Sequence, residues 1–372
     1  MLKKIICFAG TRPEAIKLAP VIRELRASPK EFEVRLCSSG QHKELLYQAL
    51  SDFGIRPDED LAVMQPGQSL AGLCSSLFEA IDSCIERERP DWVLVQGDTT
   101  TVMAASLCAF YRRIKIGHVE AGLRSLNRFA PFPEEINRRV AGLVADLHFA
   151  PTEEARGNLL REGVPSESVI VTGNTAIDAL LWMVELVRRN PPPLPLEVTH
   201  ALSEGRKLVL VTGHRRESFG PGLQNICRAI KELAGRYRKV LFVYPVHLNP
   251  EVQKPVNEIL GTVNGVLLTP PLSYKPFVRL MDASHLILTD SGGIQEEGPS
   301  LGKPVLVMRE VTERPEGIAA GTSRLVGTTT SSIVRETRRL LDDRKAYQEM
   351  AKAKNPYGDG KAAKRIKRAL AK

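Results

Sequence analysis

No apolar run in this chain approaches the roughly 20 residues that a bilayer-spanning helix needs. The N-terminal MLKKIICFAG sets two lysines before a short apolar stretch. That stretch is too short for a secretory leader, and no small-residue cleavage site follows it. It reads as a first β-strand, so a cytoplasmic protein with no membrane partner is expected. The six cysteines, Cys7, Cys37, Cys74, Cys84, Cys108 and Cys227, include no C-x-x-C pair and lie mostly in apolar runs. Reduced, buried thiols are the expectation, rather than disulfides or zinc. Aromatic residues are scarce, at 5%, and no basic stretch is interleaved with them. The net charge of +9 therefore points away from nucleic acid and toward an anionic small substrate or a basic surface.

Catalytic signatures are missing too. No G-x-G-x-x-G opens a helix, no G-x-x-x-x-G-K-[ST], H-E-x-x-H or H-x-H occurs, and no G-x-S-x-G stands as an elbow directly between an apolar strand and a helix. The sequence does not advertise NAD, a Walker-type ATPase, a metal centre or a hydrolase serine.

Short apolar runs are abundant, and they alternate with segments of helical period. Examples are KIICFAG (4–10), WVLVQGD (92–98), IKIGHVEAG (114–122), KLVLVTGH (207–214) and LILTD (286–290). Near-continuous apolar strands separated by amphipathic helices mean parallel sheets covered on both faces. There are more such strands than one open sheet usually holds, and 372 residues suit about two domains at roughly 150 residues each. Two doubly wound α/β domains are predicted. The PPPLP run at 191–195 is the obvious break in composition, read either as a stiff spacer or as a helix stop.

In such sheets ligands bind outside the carboxyl ends of strands. The richest end is residues 286–317: an apolar strand, then Ser291, Gly292 and Gly293, a helix, a further strand and an Arg-Pro turn. The glycines are expected at positive φ, letting the backbone approach a ligand. The open N–H groups and dipole of the following helix favour an anion. Glu297 suits ribose hydroxyls, and Arg314 suits a phosphate or carboxylate fork. Together these residues favour a nucleoside diphosphate.

Other strand ends carry further polar groups. Arg12 and Lys17 flank a helix start and make a second possible anion site. Asp98 follows WVLVQG and reads as an N-cap or a catalytic acid. His118 and Glu120 share a strand face if the alternation continues through them, and a buried carboxylate there needs a partner or a function. Glu134 and Arg138 are spaced i, i+4, as in a helix ion pair. His214 closes a strand and precedes a basic pair.

These motifs, in order along nearly the whole chain, resemble the bacterial non-hydrolysing UDP-N-acetylglucosamine 2-epimerases. The matching blocks include FAGTRPEAIK (8–17), GDTTT (97–101), GHVEAGLR (117–124), PFPEEINRR (131–139), TGHRRESFG (212–220), TDSGGIQEEGPSLGKPVLVMR (289–309), TERPEG (312–317) and NPYGDG (355–360). Gln96 stands where the family often has His. The resemblance implies two Rossmann-like domains with a cleft between them, the GT-B arrangement. It sets the boundaries at 1–168 plus 357–372 and at 169–356, with the C-terminal helix returning to the first domain. It implies interconversion of UDP-GlcNAc and UDP-ManNAc without a cofactor or metal, feeding surface polysaccharide synthesis. Arg12, Lys17, His214, Phe277, Ser291, Gly292, Gly293, Glu297 and Arg314 would contact UDP. Asp98, Glu120 and Glu134 would surround the sugar, with Arg138 near Glu134. Gln41, Glu44, Arg215 and His247 fall where a second, activating UDP-GlcNAc binds in bacterial members, and a homodimer is implied. A glycosyltransferase or a hydrolysing epimerase uses the same nucleotide sugar and stays open as an alternative.

Overall fold

The computed structural model describes residues 2–40, 43–65 and 67–372, without the side chains of 43–45 and 216. The chain divides into two compact units. One comprises Met1–Ala179 with Gly358–Lys372, and the other Leu180–Tyr357.

The first unit is built on seven strands: β1 (Lys3–Ala9), β2 (Phe32–Ser38), β3 (Glu59–Asp60), β4 (Trp92–Gln96), β5 (Lys115–Val119), β6 (Leu147–Ala150) and β7 (Val169–Val171). They are parallel throughout, in the order β3-β2-β1-β4-β5-β6-β7. The central strands are apolar without alternation because helices cover both faces. Ile5, Ile6, Cys7, Phe8, Val93, Leu94 and Val95 are all buried.

The second unit has six strands: β8 (Lys207–Thr212), β9 (Val240–Pro245), β10 (Val266–Thr269), β11 (Leu286–Thr289), β12 (Val305–Val307) and β13 (Ser323–Leu325). Its order is β10-β9-β8-β11-β12-β13, again parallel. Two doubly wound sheets are thus present, as the alternation predicts. The boundary falls later than the 168/169 junction implied by the resemblance, because β7 hydrogen-bonds to β6 as the last strand of the first sheet. The PPPLP run lies inside the second unit and separates nothing.

In each sheet the strand order reverses direction at one pair, β1/β4 in the first and β8/β11 in the second. A crevice opens at such a switch point beyond the carboxyl ends of the two strands. Local sequence fixes how the chain turns there. After β1, Thr11 caps the helix Arg12–Arg26 with Pro13 in its first turn, and the Glu14 carboxylate returns to the Thr11 N–H to close a capping box. Ala15, Leu18, Ala19, Ile22 and Leu25 then give that helix one buried face.

The C-terminal segment returns to the first unit. The N–H groups of Ala362 and Ala363 donate to the buried Asp178 carboxylate at 3.1 and 2.9 Å. Ile366 and Leu370 are buried, and Lys3 Nζ donates to the Leu370 carbonyl at 2.8 Å. No helix among the described residues is long and apolar enough to cross a membrane.

Candidate active site

Three carboxyl ends of the first sheet meet around Asp98 and Glu120. Strand β4 ends at Gln96, Gly97 takes a positive φ of 82°, and Asp98 follows. Thr99 caps the next helix and donates to Glu14 Oε1 at 2.7 Å, tying the turn after β4 to the turn after β1. The Asp98 carbonyl accepts from Asn137 Nδ2 at 3.0 Å, and its carboxylate pairs with Arg138 at 2.5 Å. Burial pushes the Asp98 carboxyl above the usual carboxylate range, and Glu120 and Glu134 add to this. The Arg138 guanidinium is the main opposing influence. A proton-exchanging carboxyl needs such an environment, held away from the ordinary value by neighbours of fixed position.

Arg138 is therefore not the i, i+4 partner of Glu134 that helical spacing suggests. It reaches Asp98 and, at 3.4 Å, Glu135. The local pairing is worth only about 0.2–0.5 kcal/mol on a helix surface, and the half-buried Asp98 carboxylate outcompetes it. Glu134 opens the helix Glu134–Val144. Its Oε2 is buried without a hydrogen-bond partner among the described residues.

Glu120 also departs from the strand reading. Strand β5 ends at Val119, and Glu120 adopts a left-handed φ of 64°. It therefore does not continue the alternation begun by His118. A non-glycine residue there carries about 1–3 kcal/mol of backbone strain, which its carboxylate partners offset. Lys17 Nζ lies 2.6 Å from both oxygens, Gln96 Nε2 donates to Oε2, and Asn174 Nδ2 approaches at 3.5 Å. Lys17, expected beside the diphosphate, here serves a carboxylate. His118 faces elsewhere, with Nε2 at 2.8 Å from the Gly97 carbonyl. Arg12 is the first residue of its helix and is half-buried.

The second unit presents a different chemistry at its own switch point. Thr212 at the end of β8 and Thr289 at the end of β11 share a 2.6 Å hydrogen bond. Beyond them Asp290 is fully buried and accepts from the N–H groups of His214 and Arg215 at 2.7 and 2.8 Å. That fixes the loop after β8. His214 stacks on His247 with ring centroids 5.2 Å apart. Burial lowers the His214 pKa; Asp290 opposes that shift, while His247 and Arg215 add to it.

Ser291 caps the helix Gly292–Ser300 through its backbone, and its hydroxyl makes no capping bond. Neither Gly292 nor Gly293 has a positive φ, so the conformational reason expected for them does not hold. Close packing does not demand glycine either; it leaves open room at the helix start. A Cβ on Gly293 would meet nothing within 4 Å, whereas one on Gly292 would stand 3.8 Å from Arg215 Nη2 and 4.0 Å from Arg314 Nη2. Two guanidinium groups thus flank an uncovered helix N-terminus, a strong setting for an anion. Arg314 Nε is held by the buried Glu296 carboxylate, and its carbonyl accepts from Tyr357 OH at 3.1 Å. Glu297 lies half-buried in the same helix, and Phe277 half-buried in the helix Tyr274–Ala283.

Sequence reasoning passed over Glu135, Asn174, Asp290, Glu296 and Tyr357. Asp290, directly before the Ser-Gly-Gly turn, carries the one signal that could have revealed it: a polar residue ending a buried strand. Arg215 and His247, expected at an activator position, adjoin Gly292 and His214. Gln41 and the side chain of Glu44 lie outside the described residues.

A family model described as UDP-N-acetylglucosamine 2-epimerase matches residues 23–371. The chain is 54% identical over 370 residues to the UDP-N-acetylglucosamine 2-epimerase of Salmonella typhimurium, covering 99% of this chain and 98% of that one. It is 52% identical over 370 residues to the enzyme of the same name from Escherichia coli K12, with the same coverage. The crystal structure of UDP-GlcNAc 2-epimerase from Neisseria meningitidis bound to UDP-GlcNAc superposes with a TM-score of 0.88 at 47% identity, covering 99% of each chain.

Proposed function

Because the chain belongs to the UDP-N-acetylglucosamine 2-epimerase family, we propose that it is an isomerase interconverting UDP-GlcNAc and UDP-ManNAc by elimination and re-addition of UDP. The reading is supported most by Asp98, a carboxyl raised by burial and fixed against Arg138 at a sheet's switch point.

The chemistry sets the demands. The C2 proton of the sugar has no adjacent carbonyl and is not acidic in the ground state. The C1–O bond to UDP breaks first, and its electron pair leaves with the diphosphate. C1 gains oxocarbenium character, which acidifies C2–H. A carboxylate takes that proton, and the C–H electrons form the C1=C2 bond of a 2-acetamidoglucal. A carboxylic acid on the other face then returns a proton to C2, and a diphosphate oxygen re-forms the bond to C1.

The leaving diphosphate needs fixed positive charge and oriented N–H groups. In this reading Arg12, Arg314, His214 and the turn Ser291–Gly293 supply them, with Glu297 on the ribose and Phe277 against the base. Proton removal and return on opposite faces need two groups from Asp98, Glu120 and Glu134, with Lys17 and Arg138 setting their charge. A homodimer is the acting species, and Arg215, His247, Gln41 and Glu44 receive an activating second UDP-GlcNAc.

Proton NMR of the purified protein with UDP-GlcNAc alone in D2O, with EDTA present, tests the core of this reading. UDP-ManNAc bearing deuterium at C2 is the expected product. Free ManNAc with UDP would instead identify a hydrolysing enzyme. Unchanged substrate would reject epimerisation.

A further inference from the structure

Cys37, Glu59 and Cys84 come from three separate elements of the first unit and converge. Cys37 on β2 and Glu59 on β3 are direct neighbours in the parallel register. Cys84 reaches them from the helix Leu70–Glu88, which covers that part of the sheet. The two sulfurs are 3.5 Å apart, and Cys84 Sγ is 3.7 Å from Glu59 Oε2. The three donor atoms all lie within 4.8 Å of one another.

We propose that these residues form a binding site for a thiophilic divalent cation, Zn2+ or Cd2+. Metal–sulfur bonds of about 2.3 Å and a metal–oxygen bond of about 2.0 Å at tetrahedral angles require edges of about 3.8 Å for S···S and about 3.5 Å for S···O. The S···S and Cys84 Sγ···Oε2 separations lie within about 0.3 Å of those edges, and Cys37 Sγ lies within 4.8 Å of the carboxylate, so the three donors can close on one ion. Both cysteines are fully buried, whereas Glu59 is partly exposed and gives the ion its way in.

The surroundings suit the charge. Two thiolates and a carboxylate around a divalent ion leave one net negative charge. Arg87 already sits on Glu59, with Nη2 at 2.5 and 2.6 Å from its two oxygens. A carboxylate that gives one oxygen to the metal keeps the other for Arg87, the outer partner that orients metal-binding carboxylates. Each thiol releases its proton to solvent as the ion binds. The bound ion would tie β2, β3 and the covering helix together. No spacing motif announces the site, because residues 37, 59 and 84 are brought together only by the fold.

The full chain, reduced with a phosphine, stripped with EDTA and desalted, is titrated with Cd2+ while the ultraviolet thiolate-to-cadmium absorption is followed. Saturation at one Cd2+ per chain is expected, with Zn2+ displacing it and the melting temperature rising in Zn2+. Cys37→Ser and Cys84→Ser should each weaken binding about 100-fold or more, and Glu59→Gln about 10-fold, as order-of-magnitude losses for ligand-shell changes. Cys74→Ser, on the same helix but outside the trio, should leave the titration unchanged. If serine at either core position disturbs the fold, Cys84→Ala replaces it, and Glu59→Gln still reads the site from the partly exposed strand. Absence of thiolate absorption, a signal surviving loss of both core cysteines, or one removed by Cys74→Ser overturns the proposal.

Discussion

Asp98 is held between two opposing influences. Burial and the nearby carboxylates favour its neutral form, and Arg138 favours the ionised form. If Asp98 acts as the base, the acidic limb of kcat/KM lies above the pH of about 4 at which a free aspartate titrates. Arg138→Gln removes the opposing charge and should move that limb to higher pH; a limb that stays put would exclude Asp98 as its source. Asp98→Asn should lower kcat by about 10²–10⁴-fold, the usual contribution of an acid–base group, while UDP affinity, measured by calorimetry, stays within about 3-fold, or under about 0.7 kcal/mol. Parallel loss of UDP binding would make Asp98 a support for the nucleotide. Asp98, Glu120 and His214 were legible in the sequence because each sits at or just past the carboxyl end of an apolar run, and Arg314 because it opens an Arg-Pro turn. Their partners were not. Arg138 reaches across to Asp98, Lys17 to Glu120 and Glu296 to Arg314. Each is a tertiary choice that linear spacing does not encode.

Elements impose their own constraints. Gly122 follows Glu120 at a φ of 89°, and a Cβ there would come 2.2 Å from the Ala155 carbonyl oxygen. Gly122→Ala should therefore destabilise the protein by more than about 2 kcal/mol in urea unfolding, since the strained φ and a rigid backbone clash add. On the neighbouring strands His118 and His148 stand side by side in register, and both are buried. Burial depresses each pKa to about 4. The unfolded chain binds protons near pH 6.5 that the folded chain refuses until about pH 4, so stability is present above the unfolded value and falls as pH drops across that window. For His118 alone the loss is about 3 kcal/mol. His118→Gln should flatten the pH 7-to-4 stability difference by about that amount; an unchanged slope would place the acid sensitivity elsewhere. The long apolar strands could be read directly from composition. Strands β3 and β13, of two and three residues, could not, because so short a pairing leaves no period to detect.

At the scale of the molecule, the helix Ala362–Ala371 completes the first unit although it is last in the chain. Deleting residues 358–372 exposes the faces that Ile366 and Leu370 cover and leaves Asp178, a buried carboxyl with a raised pKa, without the N–H donors of Ala362 and Ala363. Each lost apolar side chain is worth about 1.5–3 kcal/mol, so the truncated chain should melt well below the full one and be cleaved within the first unit in limited proteolysis. Unchanged melting would mean that this helix contributes nothing to the core. The same return of the chain orders events during synthesis. The residues up to 179 emerge first, yet they lack their closing helix until the ribosome has made all of Leu180–Tyr357 as well. All of Leu180–Tyr357 is available to fold before that helix exists. At roughly 5–20 residues per second, the first half of this protein waits on the order of ten seconds or more for its last piece, and a nascent chain stalled before residue 358 carries one finished unit and one that is still open.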